Sequence, residues 1–227
     1  MFKNKKTNTI LWILISLDVL FILGHISLVL SEAKQPNSFL LDAEDWGYPE
    51  LFQYVKYSTI LGLVTYLIIG QKKYAYVPAI PLFVLLFIDD VFQLHYKAAW
   101  YFVYHLKITT VAGIKAVAIG QLLYYIGIGF GMFLFSLLFY KNATYKVKKT
   151  FVHISLLLGF FLFFGIGIDF LSVLLENYIP TTIKALLTLV EEGGEMISLS
   201  LLVWFFCYLL KENPKTHDNF FSDFKIK

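Results

Sequence analysis

The sequence predicts an all-α fold: a polytopic membrane bundle of about six transmembrane helices, forming one integral membrane domain over residues 1–227 with short cytoplasmic N- and C-terminal tails. Three observations carry this. The chain is 58% hydrophobic and only 15% charged, with a mean hydropathy of +0.68, whereas a soluble domain is about 45–50% apolar. Apolar stretches recur at 10–30, 51–70, 75–96, 108–140, 151–176 and 182–210, each able to supply the roughly 20 helical residues that cross a bilayer core. Lysines cluster in alternate connections between those stretches.

The first stretch follows a basic start and ends near Ser31-x-Ala33, a signal-peptide-like arrangement. Its apolar run is long for a signal peptide and contains Asp18 and His25, so it is expected to stay as a span. The second follows Pro49 and Glu50; a carboxylate there favours a helix N-terminus or serves an outer mouth. Pro78 and Pro81 suit the first turns of the third span. The fourth is long and is expected to tilt, kink or project; its Gly127-x-x-x-Gly131 spacing suits close helix contact. The fifth holds Asp169 near its end. Pro180 precedes the sixth, whose "EEGGE" places Glu191, Glu192 and Glu195 around Gly193 and Gly194. No internal repeat is visible.

Lys3, Lys5 and Lys6, then Lys72 and Lys73, then Lys141, Lys146, Lys148 and Lys149, then Lys211, Lys215, Lys225 and Lys227 all fall on one side of a six-span chain. The positive-inside rule then puts both termini in the cytoplasm of an integral cell-membrane protein. The opposite side carries the acidic loop "SEAKQPNSFLLDAEDWGYPE", with Asp42, Glu44 and Asp45 beside Trp46. Every basic residue is lysine. Without arginine's planar fork, and with the bilayer as the main partner, nucleic-acid binding is not expected. The sequon at Asn142 falls on the cytoplasmic side. Cys207 is the single cysteine, so no intrachain disulfide exists.

Seven carboxylates fall at membrane depth: Asp18, Asp89, Asp90, Asp169, Glu191, Glu192 and Glu195. An ionised Asp at a helix centre costs roughly 2.5–3.5 kcal/mol, and several such terms rival a whole domain's stability of about 5–15 kcal/mol. Lys115 is the best-placed counter-charge, with Lys107 and Lys184 nearer the surface. Acids outnumber those bases, so some carboxylates are expected to carry protons or to share a cation. Glu191 and Glu195 are four residues apart and share a helix face, as do Asp89 and Gln93; Glu192 and Glu195 are three apart and also neighbours. His95 meets the aspartates only if the helix end loosens. His25 alone is read as a helix–helix hydrogen bond.

These residues point first to cation binding or to proton or cation translocation. Asp89, Asp90, Glu191, Glu192 and Glu195 are the ligands or proton carriers, and Asp18, His25, His95, Asp169 and Glu50 are the second tier. Six spans without a repeat are few for a carrier, which favours a homo-oligomer. A second reading is a membrane-embedded metal-dependent enzyme acting on a lipid or other membrane substrate. In it a divalent metal ion would sit among Asp89, Asp90, His95, Glu191, Glu192 and Glu195, although no Glu-x-x-His or His-Glu-x-x-His element occurs. A third is a non-catalytic subunit whose acids pair with another membrane protein.

Overall fold

The computed structural model describes residues 5–30, 47–111, 113–141, 143–176 and 178–211. The loop acids Asp42, Glu44 and Asp45, with Trp46, lie outside the described residues, as do Lys3, Asn142 and the tail lysines Lys215, Lys225 and Lys227. The chain is an all-α bundle. Six of its helical segments are long and apolar enough to cross a membrane: Lys6–Ser27, Tyr48–Ile69, Tyr74–Phe92, Ala116–Tyr140, Val147–Leu175 and Thr182–Lys211.

Helix α1 runs over Lys5–Leu30 and α2 over Tyr48–Ile69. Gly47 caps α2 in an extended conformation, and Glu50 sits in its first turn, where its Oε1 accepts a 2.6 Å hydrogen bond from the Tyr54 hydroxyl. Helix α3 (Ala79–Phe92) is shorter than the predicted third span. It stops because Gln93 adopts a left-handed conformation, φ 49° and ψ 48°. A separate helix, α4 (Leu94–Leu106), then leads back along α5. Thirteen residues at 1.5 Å each reach about 20 Å, too short to span. The predicted fourth span also needs correcting at its start: α5 covers Ala116–Tyr140, and the residues before it form a tight turn closed by a Val111–Ile114 bridge around Gly113, whose φ is +84°. The fifth span begins earlier than expected, as α6 (Tyr145–Leu162), widens into a π-helical segment (Phe163–Ile168) and ends as α7 (Asp169–Leu175).

The last helix, α8 (Thr181–Lys211), is the centre of the bundle: 67% of its apolar window is buried, against none of that in α5. It packs on α1, α2, α6, the π-helical segment and α7. Leu199, Leu202 and Phe206 of α8 meet Ile60, Val64 and Leu67 of α2 and Phe83 of α3, all fully buried. The burial of α8 follows from packing and not from apolarity, since four of the other five spans are more apolar and far less buried. Its last carbonyls, which have no partner within the helix, are capped from the α2–α3 connection. Gln71 Nε2 donates to Leu210 O at 2.9 Å and Lys73 Nζ to Leu209 O at 3.1 Å. The Gly127-x-x-x-Gly131 pair makes no close helix contact among the described residues; nothing lies within 4 Å of a Cβ built at either glycine.

One polar contact joins α1, α2 and α8 inside this core. Lys56 Nζ lies 2.5 Å from Asp18 Oδ1 and 2.9 Å from Met196 O, and Asp18 Oδ2 accepts a 2.6 Å hydrogen bond from Ser200. Asp18 is fully buried and Lys56 is 1% exposed. The sequence offers Asp18 as a member of the acidic set and does not put Lys56 among the counter-charges. The structure pairs the two. Removing one partner of a buried ion pair strands the other, at a cost of about 3–5 kcal/mol. Asp18→Asn and Lys56→Met are therefore each expected to lower unfolding stability in detergent by that amount. The double variant should recover much of the loss, a coupling that a double-mutant cycle reads directly.

Candidate functional site

A cavity of about 280 Å³ opens among the helices beside α8. Asp89 and Asp90 of α3, Asp169 of α7, and Glu191 and Glu195 of α8 line it, with His95 of α4. Tyr57 of α2 and Gln121 and Tyr125 of α5 complete its polar wall, while Phe161, Leu162 and Ile166 close one side. The spacings explain the convergence. Glu191 and Glu195 stand one turn apart on α8, and Gln121 and Tyr125 one turn apart on α5. The five acids and His95 are half-buried, and no lysine is among the described lining residues.

His95 reaches this cavity because the helix breaks at Gln93. A left-handed non-glycine residue costs about 1–3 kcal/mol, and Asp89 offsets that cost. Its Oδ1 accepts the backbone N–H of His95 at 2.7 Å, capping the new helix, and also the Tyr124 hydroxyl at 3.0 Å. The His95 ring lies with Nδ1 3.4 Å from Asp89 Oδ2 and stacks on Tyr125, centroids 5.5 Å apart. Nδ1 makes no hydrogen bond among the described residues.

Two glycines let the walls close. A Cβ on Gly165, in the π-helical segment, would collide with Glu195 Oε1, and one on Gly194 would collide with the Phe164 ring. The glycines of "EEGGE" thus allow close approach without kinking α8, which continues unbroken. Gly193 meets Ile22 of α1 in the same way, at 3.0 Å from its would-be Cβ.

Other residues that the sequence singles out lie elsewhere. Glu192 points away from this cavity; with His25 it lines a separate void of about 10 Å³ between α1 and α8. The Nδ1 of His25, which is 8% exposed, has no hydrogen-bond partner among the described residues. Asp18 is held by Lys56, and Glu50 by Tyr54. Lys115 is no counter-charge to the cavity: it stands at the N-terminus of α5, exposed, with Nζ 2.6 Å from Glu176, which Lys184 also contacts at 3.0 Å. Among the described residues, no three His, Cys, Asp or Glu converge closely enough to hold a metal ion. Asp89, Asp90, His95, Glu191 and Glu195 share the lining of the cavity without meeting at one point. Gln121 was detectable in sequence as a lone amide in an apolar span. Tyr57, Tyr124 and Tyr125 were hidden among 15 tyrosines.

Two outcomes follow from these contacts. Hydrogen bonds from Lys115 and then Lys184 hold the Glu176 carboxyl below its ordinary 4.5. A carboxyl depressed in the fold contributes stability above its unfolded value, and that contribution is lost as pH falls through the folded one. The tie between α5 and the α7–α8 connection should thus loosen below pH 4.5, and Lys115→Gln should move the Glu176 titration upward, as seen by side-chain NMR. Gly194→Ala should cost about 1–3 kcal/mol in unfolding, because a packed aromatic ring must shift. Gly165→Ala should cost less, because only the end of a flexible glutamate stands in the way; equal losses would contradict this packing.

No curated protein matches the chain, and no solved structure matches it. One family profile, described as a domain of unknown function (DUF8692), covers residues 73–210. That stretch includes all five cavity carboxylates and His95 but leaves out Asp18, Lys56 and Tyr57. The chain belongs to this family, DUF8692.

Proposed function

We propose that the acid-lined cavity binds protons or a small cation within the membrane, as the central station of a translocation path. The observation that carries this is the meeting of five carboxylates from three segments apolar enough to cross a membrane in one half-buried cavity. Two ionised carboxylates about 6 Å apart at an effective dielectric of about 20 repel by roughly 3 kcal/mol. Five in about 280 Å³ favour a state in which protons or a cation neutralise part of the charge. His95, Tyr57, Tyr125 and Gln121 supply groups that can pass a proton or orient a hydrated ion. The lack of a three-ligand metal group among the described residues favours this over a resident divalent centre. The lysine-rich connections support a topology with both termini in the cytoplasm.

The test is flux into vesicles carrying the purified protein, driven by a proton, sodium or potassium gradient. Glu195→Gln and Asp89→Asn should each reduce it at least about tenfold, the factor that about 1.4 kcal/mol represents. Glu176→Gln, outside the cavity, should leave it unchanged. Wild-type flux from both cavity variants, or no flux from the wild type under any gradient, would overturn the reading.

A further inference from the structure

A second cavity, of about 350 Å³, lies between α5 and α6 on the outside of the bundle. Phe133, Leu137 and Tyr140 line it from α5, and Phe151, Val152 and Leu156 from α6. The cleft exists because the two helices lean on different partners, α5 on α4 and α6 on α8. They meet near their turn, where the Tyr140 and Phe151 rings pack edge to face at 6.3 Å. From Phe133 to Tyr140 the cleft extends about 10 Å along the helix axis, within segments apolar enough to lie in a bilayer.

The turn at its end is strongly basic. Residues 141–149, "KNATYKVKK", contain four lysines and no acid. Lys141 and Lys149 are exposed, and Lys148 Nζ stands 5.4 Å over the ring of Tyr140, a cleft residue. An apolar slot ending under fixed positive charge has the shape and polarity of one ligand class. The geometry points to a bound anionic phospholipid, one acyl chain in the α5–α6 cleft and its phosphate among Lys141, Lys148 and Lys149. Lysines beside the membrane surface attract anionic headgroups, and basic pockets between transmembrane helices hold them. The acyl chain adds selection for a lipid over a soluble phosphate, because it covers Phe133 and Leu156, both exposed in this chain.

The experiment is native mass spectrometry of the full chain released from nanodiscs containing equal phosphatidylglycerol and phosphatidylcholine. Phosphatidylglycerol should be retained in preference. Lys148→Gln should weaken its retention about fivefold, the factor one lysine near the surface contributes. Ser155→Trp, at an exposed position in the cleft wall, should abolish retention by filling the slot, with helix content by circular dichroism unchanged. Equal retention of the two lipids overturns the proposal, as does wild-type retention by the Ser155→Trp variant. A dimer that excludes phosphatidylglycerol overturns it too, by assigning the cleft to a second copy.

Discussion

The Asp18–Lys56 pair is the contact on which the bundle turns. Neither charge could remain ionised alone at that depth, and opposite charges in contact at an effective dielectric of about 20 attract by at least about 4 kcal/mol. The remaining valences are met by Ser200 and the Met196 carbonyl, both on α8. A helix residue advances by about 100°, so slipping α1 or α2 by one position would turn a charge towards lipid. The pair therefore sets the rotation of two outer helices against the central one, which apolar packing alone specifies poorly.

With α8 fixed, departures from regular helix shape the second polar region. Irregular backbone at membrane depth persists only where protein buries it or a cavity receives it. The left-handed Gln93 delivers His95, and the π-helical Phe163–Ile168 segment brings Gly165 against Glu195 and leads into Asp169. The chain thus accommodates intramembrane acid in two ways. Asp18 has one ammonium on one oxygen and the Ser200 hydroxyl on the other, whereas the acids of α3, α7 and α8 share a half-buried space with a histidine, an amide and tyrosines. The first arrangement is a fixed contact inside the core, and the second lines open space beside it.

Much of the architecture was legible before any coordinates. Six apolar stretches declare themselves because hydrocarbon demands length and low polarity of any helix that crosses it. The acids stood out for the same reason, against a background that should exclude them. Gln93 has no glycine or proline to announce a break, so the third stretch reads straight through it to residue 96 and most of α4 reads as a connection. Lys56 does not stand out as a counter-charge in the sequence, because its partner lies 38 residues away on another helix. Gly127 and Gly131 carried a packing motif that no helix fills among the described residues.

The sequence by itself determined the class, the span count and which polar residues must be reconciled with lipid, because these follow from local composition and transfer energy. Only the tertiary structure decided how they are reconciled: Asp18 with Lys56, Lys115 with Glu176, Glu192 apart beside His25, and five carboxylates around one cavity. The reason is that each helix carries its own periodicity but no record of its rotation relative to the others. That rotation is settled by contacts between residues distant in the chain, and it decides which charges meet.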